Sequence, residues 1–212
     1  MDSAKPNDGS LRVLAVCGSL RGKSVNAAVL RAAARIASSG SLALDRPLEF
    51  VFAASLSDLP HFNEDEDYPD EAPRSEDARE SHPAVARWRG EITLADAVLI
   101  ASPEYAHGYP GLLKNALDWI VGSGQLVDKP LALVVASPAH LGGFRAQSTL
   151  LQVLQAMNVT MVATRNFAAI RAKLDRAGEV SDETILTDLG GVLESLGSAV
   201  RRVRETIDSQ PT

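Results

Sequence analysis

Three times along the chain a run of small and aliphatic residues ends in a glycine-bearing loop, and each loop opens a stretch with helical spacing. The runs are 13–17 (V-L-A-V-C), 97–101 (A-V-L-I-A) and 131–136 (L-A-L-V-V-A). A strand without a polar side must be covered on both faces, as the inner strands of a parallel sheet are. Residues 48–52 alternate more, as a strand nearer an edge does, and 160–163 read as a short last strand. Apolar residues at helical spacing predict helices over 27–37, 83–94, 112–121, 145–157 and 181–207. Five strands alternating with helices imply an α/β fold, with a parallel sheet between two helical layers. No Pro/Gly/Ser-rich linker divides the 212 residues, so 11–208 read as one domain behind a tail at 1–10. The long polar segment 58–83 carries an acidic run at 64–67, and only 59–62 is apolar enough to pack back.

In open parallel sheets the ligand lies beyond the carboxyl ends of the strands, where their order reverses. The three glycine loops follow strands one, three and four, so they converge there. In the first, Ser19, Arg21, Ser24 and Asn26 surround a helix start whose open N–H groups attract an anion. Arg21 adds a charged fork suited to phosphate oxygens. Gly22-Lys23-Ser24 resembles the end of a nucleoside-triphosphate loop, but Cys17 stands where that motif needs glycine. The dinucleotide pattern G-x-G-x-x-G is absent as well. The second loop, 102–111, presents Tyr105 and a flat approach at Gly108 that suit a planar heteroaromatic, and Gly108 is expected to use glycine's conformational freedom. Residue physics thus reaches a mononucleotide-sized ligand: a ring with a phosphate tail.

A net charge of −6 without a basic stripe argues against nucleic acid as a partner. The single Cys17 forms no internal disulfide and reads as a small buried residue in a reducing compartment. No apolar signal core or membrane-length run is present, so a cytoplasmic protein is expected. The four histidines lack ligand spacing, and no metal site is expected.

G-S-L-R-x-x-S-x-N at 18–26, S-P-E-Y-x-x-G-x-P-G-x-L-K-N-A-L-D-W at 102–119 and S-P-x-x-x-G-G-x-R-A at 137–146 together resemble the NAD(P)H-dependent FMN reductase family, over roughly residues 12–160. That resemblance implies a flavodoxin-like three-layer fold with a five-stranded parallel sheet in the order 2-1-3-4-5. It implies that Ser19, Arg21, Ser24 and Asn26 hold the FMN phosphate. Pro103, Glu104, Tyr105, His107 and Gly108 would lie along the isoalloxazine. Ser137, Gly142, Gly143 and Arg145 would meet the flavin or the pyridine nucleotide. Many relatives carry Asn where this chain has Ala106, so no flavin contact is assigned there. The implied reaction passes a hydride from NADPH or NADH to FMN and then reduces a flavin, quinone, azo compound or metal oxyanion. No general acid or base is implied. An FMN-bearing electron carrier on the same fold is the alternative.

Lys114 and Asp118 are spaced to pair on one helix face. Ile120, Val121 and Leu126 exceed what one face of a surface helix needs, which, with the habit of relatives, predicts a homodimer or homotetramer.

Overall fold

A computed structural model describes residues 9–67, 82–140 and 142–208. The tail, apart from its last two residues, and most of the segment after the acidic run lie outside those described residues. Five strands, β1 (Leu11–Cys17), β2 (Leu48–Phe52), β3 (Ala97–Ser102), β4 (Pro130–Ala136) and β5 (Thr160–Phe167), form one sheet. Its order is β2-β1-β3-β4-β5 and every pairing is parallel. The helices are α1 (Val25–Ser38), α2 (Pro83–Leu94), α3 (Gly111–Val121), α4 (Phe144–Ala156) and α5 (Glu183–Asp208).

Each inner strand feeds two cores because successive side chains point to opposite faces. Leu11, Val13 and Ala15 of β1, Leu99 of β3 and Val134 of β4 pack with α1 and α5. Leu14, Val16, Ile100, Leu133 and Val135 pack on the other side with α2, α3 and α4. That double burial is why the three runs carry no polar residue.

β5 is twice the length expected, extending through Thr164, Arg165 and Asn166. It is an edge strand, half exposed, and so tolerates polar residues that hide it in a hydrophobicity pattern. The apolar surplus near the end of α3 is mostly core: Ile120 and Leu126 are 0% and 2% exposed, and only Val121 stays open, at 56%. The stretch at 59–62 packs back as expected. Asn115 Oδ1 accepts from Phe62 N at 2.7 Å, its Nδ2 donates to Pro60 O at 2.8 Å, and the Phe62 ring meets Trp119 edge-on at 5.1 Å. Asp67, the last acid of the run, is not a solvated charge. It pairs with Arg89 of α2, whose side chain is 2% exposed and also donates to Trp119 O. Lys114 and Asp118 form the expected pair.

Candidate functional site

The neighbours β1, β3 and β4 end together, Cys17 opposite Ala101 and Ser102 opposite Val135, so their loops leave the sheet along one edge. Gly18 N donates to Ala101 O at 2.8 Å. A Cβ on Gly18 would lie 3.2 Å from Ser102 Oγ and 3.3 Å from Leu113 Cδ2, so any larger residue would have to push these side chains back where the first loop passes β3.

The first loop delivers a helix start. Ser24 is the N-cap of α1, its Oγ accepting from Ala27 N at 3.3 Å, while Ala28 N donates to Ser24 O. The N–H groups of Val25 and Asn26 precede those bonds and face out of the helix start, a donor set that fits a phosphate. Arg21 is exposed beside them, and Ser19 Oγ accepts from Arg21 N at 3.4 Å. Asn26 departs from the sequence expectation. Its side chain is buried, Nδ2 donating to Ala136 O and Oδ1 accepting from Ala136 N, both at 3.1 Å. The carboxamide thereby ties α1 to β4 and is spent before it could reach a ligand. Burial pushes the Cys17 thiol up, which keeps it protonated and inert.

The second loop is a tight hairpin turn. Tyr105 N donates to Gly108 O at 2.8 Å and Gly108 N to Tyr105 O at 2.9 Å. Between them Ala106 and His107 both have positive φ, 47° and 66°, the signature of a type I′ turn. The left-handed residues are therefore the two before Gly108. Gly108 itself has no positive φ, and a Cβ there would meet only Tyr105 O at 3.9 Å, so the expected need for glycine's freedom is corrected. Tyr105 is 48% exposed, with its hydroxyl 3.5 Å from Ser19 Oγ. Loops one and two thus touch.

Glycine is required in the third loop. Gly142 and Gly143 have φ of 64° and 81°, and a Cβ on Gly143 would sit 2.3 Å from Val135 Cγ1. Ser137 is buried, its Oγ accepting from Ala139 N at 3.2 Å to hold the turn. Glu104 Oε2 accepts from Ala146 N at 3.1 Å, so the second loop caps the N-terminus of α4, where no residue of α4's own start provides a side-chain cap. Arg145 reaches back to His107, its Nη1 2.8 Å from Nδ1. A guanidinium only donates, so the ring nitrogen facing it accepts. Pro103 is buried at the root of the second loop. Of the thirteen candidates, then, all but Asn26 and Arg145 lie on the three converging loops, and Arg145 lies in the first turn of α4, which the third loop opens. The sequence reading missed Leu20 on the first loop and Phe144 at the start of α4, 59% and 62% exposed, and the capping role of Glu104. Exposed apolar residues beside glycines were the available signal.

Among the described residues no group of three or more His, Cys, Asp or Glu is placed to hold a metal ion, and no helix is long and apolar enough to cross a membrane. A cavity of about 300 Å³ at the other end of the sheet, between Leu44 and Arg201, shares no residue with these loops.

Residues 11–173 match a family described as NADPH-dependent FMN reductase. The chain is 32% identical over 200 residues to a quinone reductase of Escherichia coli (strain K12), covering 92% of this chain and 97% of that one. It is 33% identical over 198 residues to an NAD(P)H-dependent FMN reductase of Pseudomonas aeruginosa, with the same coverage of 92% and 97%. Among solved structures, the flavoenzyme NAD(P)H:(acceptor) oxidoreductase FerB of Paracoccus denitrificans superposes with a TM-score of 0.71 at 29% identity, covering 91% of this chain and 98% of that one.

Proposed function

We infer, for a chain that belongs to the NADPH-dependent FMN reductase family, that the three loops bind FMN and that the protein oxidises NAD(P)H to reduce a quinone or a flavin. The observation that carries this reading is the placement of an open helix start and Arg21 next to the hairpin at 105–108 and the glycine pair of the third loop. FMN, when bound, supplies the redox chemistry, taking a hydride from the nicotinamide and passing electrons to the acceptor.

The chain's own groups do the rest. Val25 and Asn26 N–H with Arg21 would hold the phosphate, and Ser24 fixes the helix start that aims those donors. Peptide groups of 104–108 and 142–143 form the wall along which the ring lies. Glu104 and the Arg145–His107 contact lock the second loop to α4, so that this wall is set before any ligand arrives. Leu20, Tyr105 and Phe144 leave an apolar rim suited to a flat acceptor.

The reading extends to a cytoplasmic homodimer or homotetramer of one domain spanning 11–208, with azo compounds and metal oxyanions as further acceptors. The single free Cys17 and the exposed apolar Val121 and Val127 support it. Light scattering tests the assembly, and a monomer at micromolar concentration counts against it. Stopped-flow absorbance of the FMN-loaded protein mixed anaerobically with NADH or NADPH tests the chemistry. Bleaching with at least one donor is expected. Flavin that stays oxidised with both would transfer the reading to an electron carrier.

A further inference from the structure

Beside the first loop, on the side of the sheet that carries α1 and α5, lies a cleft of about 520 Å³; its inner end, at Arg21, Ser24 and Val25, is the helix start assigned to the FMN phosphate, and its outer end, at Arg171 and Arg176, is not used by the flavin reading. Its volume falls in the range of small-molecule sites, roughly 300–1,000 Å³. One wall is Arg21, Lys23 and Arg31; the other is Arg171 and Arg176. Among the described residues that line it, these five are cations and none is a carboxylate. The concentration is out of keeping with a chain that has 21 basic and 27 acidic residues.

The two walls are held at a fixed distance. Residues 174–180 form a small antiparallel turn, closed by the Leu174–Val180 bridge. Asp175 organises it, its Oδ1 accepting from Ala177 N and Glu179 N, both at 2.9 Å. Glu179 fastens this turn to α1, with Oε1 2.7 Å from Arg31 and Oε2 2.6 Å from Arg35. Both nearby acids are thereby engaged. Arg21, Lys23, Arg171 and Arg176 make no ion pair among the described residues. Four like charges around a rigid cleft repel one another and raise the energy of the empty state. An anion removes that penalty. The phosphate of a bound FMN is already served by the start of α1 and Arg21, so Arg171 and Arg176, which come from the opposite wall, exceed what it needs.

We propose that this cleft is a second phosphate site, outboard of the first, which takes a phosphomonoester carried by a substrate. Given the flavin-reductase reading on which this rests, that group is either the 2′-phosphate of NADPH or the phosphate of a second FMN taken as acceptor. Arginine forks on one wall and the Lys23 ammonium on the other would grip the oxygens from two sides.

The test compares wild type with Arg171→Ala, Arg176→Ala and the double variant, all FMN-loaded. By calorimetry, 2′,5′-ADP is expected to bind wild type better than 5′-ADP, and the double variant is expected to lose the difference. In steady state with a neutral quinone, each single variant should raise KM for NADPH about tenfold or more and leave KM for NADH unchanged, as loss of one charge-assisted hydrogen bond would. Retained NADH turnover shows that the variants fold. If instead the preference for FMN over riboflavin as acceptor collapses while the two donors are unaffected, the substrate flavin is the occupant. Three results would overturn the site: no change in either preference; equal binding of 2′,5′-ADP and 5′-ADP together with equal use of FMN and riboflavin by wild type; or weakened retention of the resident FMN, which would assign the cleft to that cofactor. Because calorimetry reads phosphate binding without turnover, a wild type that neither donor reduces would sink the reductase reading and leave the phosphate site separately decided.

Discussion

Asn26 and Arg21 stand five residues apart in one motif, yet the structure gives them different work. The sequence grouped them because both carry donors near a helix start. Asn26's partner is Ala136, 110 residues away, and nothing local announces it. A crossed pair of variants separates the roles. Asn26→Ala leaves the buried N–H and C=O of Ala136 without partners and is expected to cost about 2–6 kcal/mol in urea unfolding, taking about 1–3 kcal/mol per orphaned group. Arg21→Ala is expected to leave that midpoint in place and to weaken FMN over riboflavin by about 1.5–3 kcal/mol in calorimetry. If Asn26→Ala weakened FMN without lowering stability, the clamp would be the wrong account. The second loop teaches a related lesson. Gly108 announced a turn correctly, but the register of a type I′ turn puts the left-handed positions at Ala106 and His107, and only the hydrogen bonds between Tyr105 and Gly108 reveal that register. An alanine at φ 47° is strained where Asn or Gly is favoured. Ala106→Gly is therefore expected to stabilise the protein by about 0.5–1 kcal/mol, the relief of strain outweighing the added chain entropy. A lowered unfolding midpoint would contradict the turn assignment.

Elements were legible in proportion to how uniformly they are buried. The runs behind β1, β3 and β4 stand out because both faces are covered, and α2 begins and ends at the residues its spacing indicates, Pro83 and Leu94. The second half of β5 and the turn at 174–180 were hidden, since an edge strand and a polar turn owe their place to hydrogen bonds and ion pairs with distant segments. Asp175 organises this turn from within, and Glu179 is the carboxylate that fastens it to α1. Arg31, first by its hydrogen bond, and Arg35 hold the Glu179 carboxyl below its ordinary value. A carboxylate whose folded pKa is depressed stabilises the structure fully above its unfolded value of about 4.3, and that contribution is lost as pH falls through the folded value. Amide exchange at 175–180 is accordingly expected to keep its protection from pH 7 to about 5 and to lose it below about pH 4. Glu179→Gln should show the low-pH exchange already at pH 7. Protection that ignores pH in this window would mean that the turn is held by something other than Glu179.

Across the whole molecule, the order β2-β1-β3-β4-β5 puts the three glycine loops that follow β1, β3 and β4 side by side at one edge. The layered parallel sheet was legible from the alternation of strands and helices alone, while its order came from the family resemblance. The same topology constrains kinetics. The hairpin at 105–108 and Gly142-Gly143 make a single wall, rooted in β3 and β4, while Leu20, Tyr105 and Phe144 mark the side that stays open. A ring lying along that wall has one covered face, so the nicotinamide and a flat acceptor must use the same remaining face in turn. Donor and acceptor are therefore expected to give parallel lines in double-reciprocal plots, the pattern of a ping-pong reaction. Each substrate should also inhibit competitively against the other at high concentration. Phe144→Ala shortens the apolar rim and is expected to raise KM for a quinone several-fold while leaving the FMN content of the purified protein unchanged. Gly108→Val, by contrast, costs no backbone strain but places two methyl groups on the wall itself, so it should lower FMN content with little change in the unfolding midpoint. Intersecting lines would require donor and acceptor to be bound together, and with one open face that arrangement has no room in the geometry described.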